Sequence, residues 1–122
     1  MEKAWQKGMK NKTQENYLEK IPCRKEELTW SQDQKGIVTL EVKNRGLANR
    51  IAQKLLKKPR ISYIHLEEFG SFVWMTIDGK RHITAIGEMV REYFGEKAEP
   101  LYERLSQYFK TLESYGFVTF IN

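Results

Sequence analysis

The sequence predicts an α+β domain of winged-helix type, in which a small N-terminal three-stranded antiparallel sheet is followed by a three-helix bundle and a short terminal strand. Three observations carry this. Val38, Leu40 and Val42 alternate with polar residues, the period of a half-buried strand. From Phe69 to Leu112 the apolar residues recur instead with a helical period. Within that run Asp78-Gly79 forces a tight turn between two helices, since Gly accepts a positive φ and Asp can bond its own following backbone.

The elements follow in order. Residues 1–16 are polar, lack periodicity and hold one isolated aromatic, Trp5, so they read as a flexible tail that can be removed without loss of folding. The domain proper is expected to span 17–122. Pro22 disfavours helix at Ile21 and marks the start of order. Leu28-Thr29-Trp30, the turn-like Gln32–Gly36 and the strand Ile37–Lys43 read as a hairpin. Leu47, Ile51 and Leu55 at four-residue spacing predict a basic amphipathic helix over Leu47–Lys57, ended by Pro59. Ile61–Leu66 is rich in β-formers and reads as the third strand.

A first helix is predicted over Glu67–Ile77, with Phe69, Phe72, Val73 and Ile77 on one face. Ile83, Ile86, Val90, Tyr93 and Phe94 give the second helix its buried stripe, His82 or Thr84 its cap, and Gly95 its stop. Pro100 suits the start of a third helix, Leu101–Tyr115, whose stripe is Leu101, Leu105, Tyr108, Phe109 and Leu112. Gly116 closes it, and Phe117–Ile121 reads as the terminal strand.

Composition narrows the function classes. A chain of 122 residues can form one domain with a modest core. No apolar run approaches the length of a membrane span, and the N-terminus has no apolar signal segment. The single cysteine, Cys23, excludes an internal disulfide and fits a cytoplasmic location. Charge is lopsided: residues 1–60 carry 15 Lys or Arg against 7 Asp or Glu, whereas residues 61–122 carry 6 against 9. The basic half suits a partner of opposite sign; the competing reading is a solvated basic face.

Chemistry is hard to find. His65 and His82 are far apart, and Cys23 has no nearby partner, so no metal site is expected. Neighbouring Glu67 and Glu68 would point in different directions on a helix, which suits first-turn charges better than an acid–base pair. Gly70, Gly79 and Gly87 fit neither dinucleotide nor phosphate-loop spacing, and no Ser or Cys sits in a nucleophile motif. The expectation is a binding module with no catalytic residues and no cofactor.

The runs HLEEFGSFVWMTIDGKRHITAIGEMV and YERLSQYFKTLESYGFVTF resemble the PqqD-like family, with NYLEKIP, GIVTLEV and the basic insertion in matching order over roughly residues 17–121. These marks are core and turn positions. His82 departs from the Thr usual at that helix cap. The resemblance implies a recognition element for ribosomally made, modified peptides: a leader segment of a precursor peptide adds beside the third strand, lies against the third helix, and is presented to a radical S-adenosylmethionine enzyme. Carried onto this chain, the expected site is Ile61, Ser62, Tyr63, Ile64, His65 and Leu66 on the strand, with Leu101, Leu105, Tyr108 and Leu112 on the helix. An edge strand can accept such a chain on physical grounds alone. Whether the domain dimerises through the same edge is left open.

The alternative is a winged-helix DNA-binding regulator. A recognition helix would need exposed basic or amide side chains at its start. The third helix instead sets Glu103 and Glu113 against Arg104 and Lys110, and the second sets Glu88 and Glu92 against Arg91. Phosphate contacts disfavour that balance, so the peptide adaptor is the better reading.

Overall fold

The computed structural model describes residues 16–43 and 61–121. The tail at 1–16, apart from Asn16, and the basic helix at Leu47–Lys57 lie outside the described residues. The order of elements is β1 (Ile21–Arg24), β2 (Thr29–Gln32), β3 (Val38–Lys43), β4 (Ile61–His65), α1 (Glu68–Thr76), α2 (Ile83–Phe94), a 3₁₀ segment (Gly95–Ala98), α3 (Leu101–Ser114) and β5 (Val118–Ile121). The chain is thus a mixed α and β protein with a three-stranded antiparallel sheet and several helices. It divides into two compact units, one of residues 26–71 and one of the segments on either side.

In the 26–71 unit β2, β3 and β4 form the antiparallel sheet in that order. The predicted hairpin is present, and its turn is built by Asp33. The carboxylate Oδ1 accepts the amides of Lys35 at 2.8 Å and Ile37 at 2.9 Å, and Gly36 supplies the φ of 87° that closes it. Period-two reading of β3 holds in three dimensions: Val38 and Leu40 are fully buried, while Thr39, Glu41 and Lys43 are not.

The other unit contains a strand pair that the sequence did not suggest. Ile21–Arg24 is β1, and it pairs antiparallel with β5 in a separate two-stranded sheet. The terminal strand was expected, but its partner was not, because Pro22 and the shortness of IPCR mask the β signal. Lys25 N–H continues the pairing by donating to the Phe117 carbonyl at 2.9 Å. Order also begins earlier than Ile21. Residues 16–18 form a helical turn, and Leu18 is fully buried.

The helices lie within a residue or so of their predicted bounds, since Gly95 and Gly116 adopt positive φ and stop α2 and α3. Most of the expected stripes form the core: Ile83, Ile86 and Val90 from α2, and Leu101, Leu105, Phe109 and Leu112 from α3, are buried. Tyr93, expected in the α2 stripe, is instead 63% exposed, and Phe94 and Tyr108 are half-buried, because these large rings sit at the margin of their stripes. Gly87 permits the close approach of these two helices, for a Cβ there would stand 3.1 Å from Leu105 Cδ1. On α1 the buried arc is wider than predicted. Trp74 is fully buried in addition to Val73 and Ile77, and the Arg24 guanidinium lies over its ring at 5.7 Å. Phe72 is instead half-buried, stacked on exposed Tyr93 at 4.6 Å.

The Asp78-Gly79 turn does the structural job expected of it. Asp78 Oδ1 accepts the amides of Lys80 and Arg81, both at 2.9 Å. These bonds, first among the causes, hold its carboxyl below the usual range. Arg81 returns to donate to the Thr76 carbonyl at 2.9 Å, and Arg24 Nε donates to the Ile77 carbonyl at 3.0 Å. Two cationic side chains therefore satisfy carbonyls left open where α1 ends.

Candidate functional site

Strand β4 has one neighbour, β3; among the described residues no strand pairs with its other side. The register of Lys43 with Ile61, Glu41 with Tyr63 and Thr39 with His65 decides which backbone groups face outward. At the strand's end Leu66 N–H donates to the Val38 carbonyl at 2.8 Å, so Val38 and Leu66 form a hydrogen-bonded pair. Such pairs alternate along an antiparallel ladder. Leu40 with Ile64 and Val42 with Ser62 are then the next two. It follows that Ser62 and Ile64 spend their N–H and C=O groups on β3, as Leu66 does its N–H, whereas Ile61, Tyr63 and His65 direct theirs away from it.

The same parity emerges from the other strand. Asp33 N–H donates to the Ile37 carbonyl at 3.0 Å, making that pair hydrogen-bonded and leaving the backbone of Val38 and Leu40 to face β4. Two independent bonds thus give one assignment.

A helical serine completes the last rung. Ser71, on α1 and 1% exposed, accepts the Val38 amide on its hydroxyl at 2.8 Å and donates to the Leu66 carbonyl at 3.1 Å. Its Oγ stands between the two groups that would otherwise bond each other. The sequence offered no signal for this role, because a lone serine in an apolar helix usually bonds within its own helix.

Side chains on β4 are unusually apolar for an edge. Ile61 and Ile64 are each 36% exposed, and Tyr63 is 59% exposed. Ile64 shares its face with buried Leu40, opposite it on β3. Ile61, Tyr63 and His65 share the other face with Lys43, Glu41 and Thr39, and His65 Nδ1 and Thr39 Oγ1 are hydrogen-bonded at 2.7 Å. Leu66 is half-buried just beyond the strand. The residues Ile61–His65 thus form one strand, as the sequence predicted for Ile61–Leu66, and among the described residues it lies at the edge of its sheet.

The four expected residues of α3 fare differently. Leu101, Leu105 and Leu112 are buried at 1%, 0% and 5% exposure. They are held by packing inside their own unit, Leu101 and Leu105 against Gly87. Tyr108 is half-buried beside Phe109, with ring centroids 5.3 Å apart, and burial pushes its hydroxyl well above the usual tyrosine value. Of the four, it is the side chain with surface to offer.

Among the described residues no group of three or more His, Cys, Asp or Glu could hold a metal ion, and no helix is long and apolar enough to cross a membrane. His65 and His82 serve backbone and neighbour: His82 caps α2 without a side-chain cap bond, and its ring Nδ1 donates to the Glu19 carbonyl.

A family model described as coenzyme PQQ synthesis protein D (PqqD) matches residues 51–118, more than half of the chain. The match takes in β4, α1, α2 and α3 and leaves β1, β2 and β3 outside. No curated protein and no solved structure matches the chain.

Proposed function

Because the chain belongs to the PqqD family, we propose that it is a non-catalytic adaptor that captures the leader segment of a ribosomally made precursor peptide and presents it to a modifying enzyme of the radical S-adenosylmethionine type. In this reading the domain is winged-helix-like and works in the cytoplasm, and the leader adds as a further strand along β4. The observation that carries it is the backbone parity of that edge. Ile61, Tyr63 and His65 turn three N–H and three C=O groups away from β3, which is the equipment an extended peptide needs in order to be held by its main chain.

The second edge of the sheet is a poorer candidate. β2 carries Thr29, Ser31 and Gln32 as exposed polar side chains around half-buried Trp30, so an added strand would gain little apolar contact there. On α3, Leu101, Leu105 and Leu112 support the helix from within, and of the four expected residues Tyr108 keeps the most surface. The basic half of the sequence adds long-range attraction for an acidic leader.

The test uses synthetic peptides covering the short reading frames that neighbour the gene. Amide hydrogen exchange of the full chain should show Ile61, Tyr63 and His65 becoming protected when the correct peptide binds, while Ser62 and Ile64 are slow already. Binding should weaken as salt rises. Duplex DNA is the control: tight, salt-sensitive DNA binding with no protection of β4 by any peptide would overturn the adaptor in favour of a winged-helix regulator.

A further inference from the structure

Resting on β4 as the peptide edge, we infer that the captured strand is selected by an asymmetric apolar pattern: apolar side chains beside Ile61, Tyr63 and Ile64, a tolerant position beside Ser62, and a polar residue beside His65. The substrate class is an extended segment with two adjacent apolar residues and a third spaced two away. A regular amphipathic strand, apolar at every second position, does not fit.

The argument starts from pleat geometry. A residue added beside a β4 residue places its side chain on the same face as that neighbour, and faces alternate along the strand. An ordinary half-buried edge is apolar on one face only and selects an alternating partner. β4 is different, because Ile64 is exposed on one face and Ile61 and Tyr63 on the other. Beside Ile64 the incoming side chain extends a layer already formed by Leu40, so apolar surface is removed from water on both sides of the contact. Beside Tyr63 and Ile61 it covers the most exposed ring of the strand and an adjacent isoleucine. Ser62 offers no apolar surface, and His65 is already turned to the Thr39 hydroxyl. Three positions therefore select apolar side chains, the one beside His65 selects a polar one, and the one beside Ser62 is tolerant.

The pattern is directional. In a strand parallel to β4 it runs apolar, any, apolar, apolar; in an antiparallel strand it runs apolar, apolar, any, apolar. Sequence alone thus reports orientation. Proline is excluded wherever the peptide N–H must reach the carbonyl of Ile61, Tyr63 or His65.

The experiment is selection of a displayed library of random eight-residue peptides on the immobilised full chain, repeated with Tyr63→Thr and Ile64→Thr. Threonine keeps strand propensity, and Tyr63 is exposed enough that its variant should melt like the parent. The expected result is one shared spacing in one direction. Tyr63→Thr should lose the preference at the matching position alone, with binding of the parent motif weakened about tenfold. Ile64→Thr should erase the preference at the next position; if it fails to fold, the Tyr63 result still decides. Enriched peptides that alternate, or share no spacing, would overturn the pattern and leave the adaptor standing. No enrichment at all would overturn both.

Discussion

Single residues hold this fold at points where the backbone would otherwise go unsatisfied. Leu18 is one. Fully buried just ahead of β1, its carbonyl accepts the Thr84 hydroxyl at 3.0 Å, while two residues later the Lys20 carbonyl takes the Ile83 amide at 3.0 Å. The start of α2 is thus capped by a distant segment in place of a cap side chain, which is how His82 can stand where a threonine would be usual. Leu18→Ala should cost about 2–5 kcal/mol in chemical denaturation, the range for an emptied leucine site. Gly79 is another such point. Its φ is 76° and the space beside it is ordinary, with Cys23 Sγ 3.5 Å from a built Cβ, so strain alone is at stake. Gly79→Ala should destabilise by about 1–2 kcal/mol without altering the fold by circular dichroism.

At the scale of elements, the sheet and its helix meet through Ser71. Removing its hydroxyl leaves a buried amide on Val38 and a carbonyl on Leu66 without their shared partner. Ser71→Ala should therefore cost about 1–3 kcal/mol, and exchange of the Val38 amide should quicken more than that of its neighbours on β3. Proline substitutions along β4 test the parity directly. Tyr63→Pro removes an N–H that faces away from β3 and should leave melting close to the parent while abolishing peptide binding. Ile64→Pro removes one that bonds Leu40 and should lower stability sharply. Equal effects on stability from the two would overturn the assignment of the edge. The strands, helices and turns were legible in the sequence because each rests on a local pattern. β1 was not, since four residues with a proline carry no such pattern and become a strand only by pairing with β5.

For the whole molecule, pH offers a check on how the aromatic residues are buried. The hydroxyl of Tyr17 is raised well above the ordinary tyrosine value, by burial first and by the negative charge of Glu113 second; that of Tyr108 is raised by burial. A folded pKa above the unfolded one means the unfolded chain releases its protons first as pH rises. The stability these two groups contribute is therefore complete below about pH 10, the usual tyrosine value, and is lost as pH climbs beyond it. Thermal melts should decline in that alkaline window, and Tyr108→Phe should make the decline shallower; an unchanged slope would place the ring in solvent. Period and turn chemistry in the sequence alone determined the α+β class, the hairpin, the strand at Ile61–Leu66 and the bounds of three helices, and the resemblance to the PqqD-like family made that strand the one of interest. They could not say which of its amides face outward, because that depends on a pairing register with residues 18 to 26 positions away, and a slip of one would reverse every group. Nor could they separate Leu101, Leu105 and Leu112 from Tyr108, since a helical stripe looks the same in sequence whether it packs inward or lines a groove, and only tertiary packing, around Gly87 for Leu101 and Leu105, buries the leucines.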